Sequence, residues 1–209
     1  MARIITPQCK QCRREGKKLF LKGERCYSVK CAVARRAYAP GQHGQDRRMR
    51  VSEYCVQLRE KQKIKRIYGI MEKQFRKYYE DATKMKGNTG NLLIVTLERR
   101  LDNVIYRTGL GASRRLARQL VNHGHFLVNG KRVDIPSFIV KEGDVISVKK
   151  ETSPYFKNLR ETLKGAPQVP SWINFEEKKF EAKINALPTE KEAELDVNIN
   201  QVVEYYSKI

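Results

Sequence analysis

The sequence has 209 residues, enough for two modest domains with a real hydrophobic core. It carries 43 Lys and Arg against 23 Asp and Glu, a net charge of +20, so a polyanion is the first partner to consider. A membrane is the rival anionic surface, but no apolar run is long enough to span one. The first residues, MARIITPQC, show no apolar signal region, and we therefore expect a protein that stays in the reducing cytoplasm.

The positive charge is concentrated in the N-terminal part of the chain. Residues 1–86 carry 24 Lys and Arg against 8 Asp and Glu, and residues 87–150 carry 11 against 5. Residues 151–209 reverse the balance, with 8 against 10. We therefore expect the surface for a polyanion on residues 1–150, and a different role for the C-terminal part.

The cysteines near the N-terminus form two close pairs, Cys9-x2-Cys12 and Cys26-x4-Cys31. Two thiolate pairs joined by a loop can enclose one tetrahedral ion, and the segment has too few apolar residues to fold alone. We therefore predict one structural zinc ion (Zn²⁺) held by these four cysteines. Two alternatives are an iron–sulfur cluster with the same four ligands and four buried thiols without a metal. Four cysteine ligands leave no open position for catalysis.

The loop between the cysteine pairs is strongly basic, with only Glu15 and Glu24 against its cations. A charge run is usually a solvated face, but cations crowded on a metal-held loop favour an anionic partner. A turn-rich link, PGQHGQ at 40–45, precedes a second basic group. We predict that both groups contact a polyanion: Arg13, Arg14, Lys17, Lys18, Lys22, Arg25, Arg47, Arg48 and Arg50.

Residues 46–86 read as two helices, with Ser52 as the N-cap of the first. The periodic apolar and aromatic residues of both helices are expected to be core, and Cys55 a small buried hydrophobe. The cations of the first helix are expected to crowd the rest of its surface: Arg59, Lys61, Lys63, Lys65 and Arg66. Glycines at 87 and 90 then mark a hinge or domain boundary.

The most informative stretch runs from Ser113 to Val148. Ser113 is expected to cap a helix with one apolar face, Gly124 to end it, and Asn129-Gly130 to form a two-residue hairpin. Arginine forks bind phosphate in bidentate fashion, so the helix and hairpin would form a small, rigid basic surface. Its cations are Arg114, Arg115, Arg118, Lys131 and Arg132.

Beyond residue 150 the pattern weakens. We expect one helix around 156–163, a strand over 172–180 and an acidic loop over 188–196. The sequence VVEYY at 202–206 is apolar and aromatic. Apolar termini usually dock on the fold, so we expect this tail to pack on an earlier domain.

Together these segments resemble one family, the bacterial small-ribosomal-subunit protein four, and the four cysteines resemble its zinc-bearing branch. The resemblance covers most of the chain, in the family's order, through PGQHGQ at 40–45, SEY at 52–54, QLREKQKIKRIYGI at 57–70, RLDNVIYR at 100–107 and SRRLARQLVNHGHFLVNGKRVD at 113–134. It implies an α+β fold, in which a second domain carrying a helix–hairpin RNA-binding module interrupts a helical domain, and the C-terminal tail docks back on the helical domain. The expected domains are a zinc-binding extension at 1–45, a helical domain at 46–90 completed by 197–209, and a second domain at 91–196 with the RNA-binding module at about 99–163.

The resemblance also implies a function in the small ribosomal subunit in the cytoplasm. It implies a primary binder of 16S rRNA that nucleates assembly of the subunit body, together with contacts to ribosomal protein five and other small-subunit proteins. Translational accuracy, contact with mRNA at its entry path and repression of the protein's own mRNA leader are further implied roles. Neither a membrane nor a small-molecule substrate is expected. Within the module, Ser113, Asn122 and His123 join the RNA-contacting residues, and Asn129 is either a base contact or a turn residue.

Two other functions are consistent with parts of the sequence. Arg100-Leu101-Asp102 resembles the motif around the catalytic aspartate of pseudouridine synthases, which often carry this RNA module. However, Asp102 precedes the module here, and the chain after Lys150 is too short for a catalytic domain. A zinc-finger DNA regulator is the third hypothesis, because a four-cysteine module and a basic helix are compatible with it. We predict a non-enzymatic RNA-binding protein.

Overall fold

The computed structural model describes residues 4–46, 51–149, 155–156, 158–159, 169–189, 191–193 and 195–208. The chain divides into two compact units, Met1–Leu93 with Leu195–Ile209, and Ile94–Glu194. No helix in these described ranges is both long and apolar enough to cross a membrane.

The first unit is helical. Its elements are α1 (Gln8–Glu15), α2 (Glu24–Tyr27), α3 (Ala32–Arg35), α4 (Glu53–Ile67), α5 (Glu72–Lys84) and the C-terminal helix α9 (Ile199–Ser207), while α6 (Thr89–Glu98) begins in this unit and ends in the second. As predicted, Ser52 caps α4, since its hydroxyl accepts the backbone N–H of Cys55 at 3.3 Å.

Helix α9 packs against α4, so the expected return of the C-terminal tail to the helical unit is observed. The rings of Tyr54 and Tyr205 lie 5.6 Å apart, and the Gln57 amide donates to the Glu204 carboxylate at 2.9 Å. Val202 is fully buried in this contact region. Helix α9 therefore completes the core of the helical unit. Residues close to the C-terminus and residues of α4 contribute to the same core.

The cations of α4 do not lie where the sequence predicted. Lys61 and Lys63 are buried, with relative exposures of 4% and 7%, although both were expected on the solvated side. The Lys61 ammonium donates to Glu72 at 2.7 Å and lies 4.4 Å from the centroid of the Tyr205 ring. Lys63 pairs with Glu60 one turn earlier in α4, whereas the partner of Lys61 comes from α5, which periodicity within α4 cannot reveal.

The second unit is α+β. It contains α7 (Leu101–Arg107), α8 (Arg114–Asn122) and a five-stranded antiparallel sheet in the order β2-β1-β3-β5-β4. The strands are β1 (Phe126–Val128), β2 (Lys131–Arg132), β3 (Val145–Val148), β4 (Ile173–Glu176) and β5 (Glu181–Ile184). A 3-10 turn at Lys191–Ala193 lies in the predicted acidic loop.

The predicted hairpin is confirmed. Asn129 and Gly130 have φ values of 50° and 75°, and such a pair of left-handed residues matches the right-handed twist of β1 and β2. Gly124 ends α8 with φ of 70°, as expected for a helix C-terminus. The helix–turn–hairpin geometry therefore follows directly from the local sequence.

The expected strand over 172–180 is wrong in one respect. The strand β4 covers only residues 173–176 of this range, and a turn at 177–180, in which Phe180 has φ of 48°, leads into β5, which pairs with β4. Phe180 is fully buried and packs 5.8 Å from Phe156, so its burial holds the turn in place. Of the helix expected around 156–163, only residues 156, 158 and 159 lie within the described residues, and these are helical.

Candidate nucleic-acid interface

The inner face of α8 fixes how this helix presents its cations. Ala117 and Val121 are fully buried, and the Ser113 hydroxyl caps the helix by accepting the Leu116 N–H at 3.3 Å. Arg115 lies on the other side, where it is exposed to solvent. One face of α8 therefore anchors the helix, and the opposite face is available to a partner.

The other two arginines of α8 are bound within the protein. The Arg114 Nε donates to Asn103 at 2.8 Å, and its guanidinium carbon lies 4.4 Å from the centroid of the Tyr106 ring. Arg118 donates to the Asp102 carboxylate at 3.3 Å, and only 11% of its side chain is exposed. A role for both in phosphate binding stays a prediction, but neither is equivalent to Arg115.

Asp102 neutralises two arginines beneath α8. Arg100, which is fully buried, donates to its two carboxylate oxygens at 3.1 and 2.9 Å, and Arg118 adds a third contact. A carboxylate that balances two guanidinium groups in the core is not available as a nucleophile. The geometry therefore gives no support to the pseudouridine synthase alternative at this position.

The hairpin adds two exposed cations, Lys131 and Arg132. The Arg132 guanidinium lies over the turn that ends α8, since a Cβ at Gly124 would be 2.4 Å from its Nε. Its ion pair with Asp134 is loose, at 4.0 Å, with more than half of each side chain exposed. Glycine at 124 thus serves both the left-handed backbone and the close approach of Arg132.

Residues at the C-terminal end of α8 extend this surface. Asn122 and His123 are exposed, and the His123 ring lies 6.1 Å from that of His125. Burial, and secondarily His123, lower the pKa of His125. The Lys149 N–H donates to the His125 carbonyl at 2.8 Å, which brings exposed Lys149 to the same end. Sequence reasoning missed Lys149, because only the pairing of β1 with β3 reveals its position.

For Asn129 the sequence allowed either a base contact or a role in the turn, and its side chain stabilises the turn. Its side-chain amide donates to Asp144 at 2.8 Å, and its carbonyl oxygen accepts the Val145 N–H at 2.9 Å. Both polar ends of the side chain are therefore engaged in joining the hairpin to β3. The structure favours the turn role over a base contact.

The cations of the N-terminal loop fall into two groups. Arg13 points inward: it donates to the carbonyls of Tyr38 and Ala39 at 3.0 and 3.3 Å, and Lys17 pairs with Asp196 at 2.8 Å. Lys17 is itself exposed, as are Arg14, Lys18, Lys22 and Arg25. The second predicted group, Arg47, Arg48 and Arg50, lies outside the described residues.

The four paired cysteines come together around one small cavity of about 20 Å³. Cys12, Cys26 and Cys31 are buried, Cys9 is half-buried, and all four thiols are free of disulfides. Among the described residues, no group of three or more His, Cys, Asp or Glu side chains is arranged to hold a metal ion as it stands. The structure thus gathers the predicted donors without bringing them to ligating geometry.

The surroundings of these sulfurs differ from one cysteine to the next. The Lys22 N–H donates to the Cys26 sulfur at 3.3 Å. Burial raises the pKa of Cys31, but the N–H groups of Ala34 and Val33 and the nearby cations together outweigh it, so the pKa lies below its usual value. Burial raises the pKa of Cys12, and the other three cysteines add to this effect. A soft cation among them would reverse the repulsion between four sulfurs.

Comparison with known proteins identifies both parts of the chain. Residues 3–98 match the family described as "Ribosomal protein S4/S9 N-terminal domain", and residues 99–146 match "S4 domain". Proteins called "Small ribosomal subunit protein uS4" from Acetivibrio thermocellus and Ruminiclostridium cellulolyticum are 56% and 55% identical over 210 residues, covering 100% of each chain. A "Small ribosomal subunit protein uS4A" from Alkaliphilus metalliredigens is 54% identical over the same full length.

Proposed function

The chain belongs to the uS4 family of small ribosomal subunit proteins, and on that premise we propose that it binds 16S rRNA through the exposed cations of α8 and the β1–β2 hairpin. It is a structural constituent of the small ribosomal subunit, in the bacterial cytoplasm, and not an enzyme. The family resemblance inferred from the sequence is thereby confirmed, apart from its zinc-bearing branch.

One observation carries the choice of surface. Arg115, Lys131 and Arg132 are exposed, and no ion pair of Arg115 or Lys131 is found among the described residues. By contrast, Arg118 pairs with Asp102, and Arg114 is held by Asn103 and the Tyr106 ring. The deep major groove of an RNA duplex is read poorly by side chains, so recognition relies on backbone shape and phosphates. A rigid helix and hairpin with unmatched cations suit that target, and Asn122 and His123 are placed beside them for 2′-hydroxyl or base contacts.

Finer roles are part of the same proposal. Family membership supports nucleation of subunit assembly, contact with ribosomal protein five and other subunit proteins, a part in translational accuracy, and binding of mRNA at its entry path or in the protein's own leader. The exposed loop cations Arg14, Lys18, Lys22 and Arg25 would contact further RNA, as would the basic group at 47–50. Arg13 and Lys17 have internal partners and would act mainly by ordering their segments.

We also propose that Cys9, Cys12, Cys26 and Cys31 hold one structural zinc ion. The support is that four soft donors line one small cavity in a segment with little apolar core of its own. A bound ion would supply positive charge that stabilises the thiolates and would join the two cysteine pairs. An iron–sulfur cluster with the same donors is the alternative, and elemental analysis separates the two.

The metal proposal is tested by replacing the paired cysteines with serine and measuring bound zinc and iron by mass spectrometry. We expect about one zinc per chain in the parent protein and none in the variant, with Cys55→Ser as a control that keeps the ion. Equal zinc content in the parent and the four-serine variant would contradict the proposal, and iron with visible absorbance would favour the cluster.

The RNA proposal is tested with a triple variant, Arg115→Ala, Lys131→Ala and Arg132→Ala. We expect weaker binding to 16S rRNA and a shallower salt dependence, because up to three phosphate contacts are lost. The matched control replaces Lys178, Lys179 and Lys183, which lie in the same unit but outside the matched S4 domain. If both triple variants bind with the same reduced salt dependence, the assigned face is wrong.

A further inference from the structure

An exposed aromatic pair stands on the loop between the two cysteine pairs. Phe20 follows Leu19, which is buried, and precedes Leu21, which lines the cysteine cavity, yet the Phe20 ring is 37% exposed. Its backbone has φ of +50°, a conformation uncommon for a bulky side chain. The chain thus turns an aromatic side chain outward between two inward leucines, and strained residues of this kind cluster at binding sites.

Tyr27 is the second ring of the pair. It is 71% exposed, its centroid lies 5.0 Å from that of Phe20, and the two ring planes differ by 31°. The two rings are held by the cysteine module, because Tyr27 follows buried Cys26, whose sulfur accepts the Lys22 N–H two residues after Phe20. The two rings therefore form one apolar surface supported by the cysteine module.

Cations flank this surface on both sides in the chain. Lys18, Lys22, Arg25 and Lys30 are exposed, and Glu24 is the acid among them. An apolar protein partner would have to desolvate or match these charges, whereas a nucleotide supplies both an aromatic face for the rings and a phosphate for the cations.

We propose that the Phe20–Tyr27 pair is a stacking platform for an unpaired base of the bound RNA. This proposal rests on the RNA-binding function above and adds a contact that recognises single-stranded nucleotides rather than duplex shape. The rings would stack on the base, and the flanking cations would neutralise the phosphates on either side of it. Any base has a π-face, so the platform would select for an unpaired nucleotide and not for its identity.

Crosslinking tests the contact directly. Full-length protein is bound to 16S rRNA in which uridine is partly replaced by 5-iodouridine, irradiated and digested with trypsin. Cleavage at the flanking cations releases residues 19–22 and 26–30 as separate peptides, each with one ring of the pair. We expect nucleotide adducts on at least one of these peptides. A second crosslinking experiment with 5-iodocytidine detects a cytosine at the site. Purine-specific footprinting detects an adenine or a guanine.

Substitution tests whether the rings contribute to binding as aromatics. The double variant Phe20→Leu and Tyr27→Leu keeps apolar side chains, and we expect roughly tenfold weaker binding to 16S rRNA with an unchanged salt slope. The control is Val29→Ala, an exposed apolar residue nearby, which should bind like the parent. The variant Phe20→Tyr with Tyr27→Phe keeps two rings and should also bind normally. Zinc content and circular dichroism establish that each variant is folded.

The outcomes distinguish this proposal from the one it rests on. If the parent binds rRNA with a steep salt dependence but the leucine variant binds equally well and no adduct maps to 19–22 or 26–30, the platform is wrong and the RNA-binding function stands. In that case the patch is left for a protein neighbour. If the parent shows no salt-dependent rRNA binding, the RNA-binding function itself fails.

Discussion

Helices α4 and α8 look alike in sequence, since each has an apolar stripe and several cations, but the structure neutralises their charges to different extents. Four cations of α4 pair with carboxylates from other segments: Arg59 and Arg66 with Glu15, and Lys61 and Lys65 with Glu72. The fifth, Lys63, pairs with Glu60 within α4. On α8, Arg115 has no such partner among the described residues.

The comparison shows that net charge in a sequence overstates the charge available to a partner. Unmatched cations are what drive association with a polyanion, because only these gain by neutralising phosphates. The cations of α4 hold the helical unit together instead. Removing an internal acid should therefore lower stability, whereas removing an exposed cation should weaken binding to RNA.

The largest effect is expected for Asp102→Asn. It removes the carboxylate that contacts both the fully buried Arg100 and the nearly buried Arg118, and we expect a loss of about 3–5 kcal/mol in unfolding free energy. Urea unfolding measures it. Asp134→Asn is the control, because this exposed partner of Arg132 should contribute under about 0.5 kcal/mol. Similar losses in the two variants would show that the network beneath α8 is not structural.

A smaller loss is expected for Glu15→Ala. The Glu15 side chain is fully buried between Arg59 and Arg66, and burial raises its pKa although these arginines oppose the effect. One carboxylate oxygen, Oε2, has no hydrogen-bond partner among the described residues, which limits the gain from the site. We expect a loss of about 2 kcal/mol, since both arginines can reach solvent when the acid is removed. Glu24→Ala, an exposed acid of the same segment, should leave urea unfolding unchanged.

Glu72 gives a stability that depends on pH. Burial raises its pKa, but hydrogen bonds from Lys61, Lys65 and Tyr206 outweigh it and hold the pKa at about 2. This stabilisation is fully present above the unfolded pKa of about 4.5 and is lost as the pH falls from there toward 2. Because 44% of the side chain is exposed, we expect Glu72→Gln to cost only about 1 kcal/mol at pH 7.

Urea unfolding of the parent and Glu72→Gln between pH 6 and pH 3 measures this dependence. The difference between the two should be constant above about pH 5 and shrink below it. A difference that stays constant down to pH 3 would mean that the carboxylate does not titrate as its contacts indicate.

The smallest effect, and the sharpest comparison of the two helices, comes from single cation removals. Arg115→Ala should lower the slope of log affinity against log salt by about 0.7–0.9 for one lost phosphate contact, with little change in stability. Lys65→Ala changes the net charge equally but removes a partner of Glu72, so it should lower stability and leave the salt slope unchanged. Exchange of these two results would reverse the roles assigned to α4 and α8.

Local features of the fold were predictable because they depend on residues close in the chain. Ser52 and Ser113 cap their helices, and Asn129-Gly130 forms the turn, as the sequence indicated. The strand β5 and its pairing with β4 were not predicted, since the alternation of 172–180 gave no sign of the turn at 177–180. Lys149 was missed for a related reason: strand register places it beside α8.

The sequence by itself determined the α+β elements, the basic character of the chain, the family and the four cysteines that gather at one cavity. Only the tertiary structure decided which cations face solvent, because their acids are distant in sequence: Glu15 for Arg66, and Asp102 for Arg118. It alone also revealed the outward Phe20–Tyr27 pair. A side chain's charge is a local property, but its neutralisation depends on which distant segments fold against it.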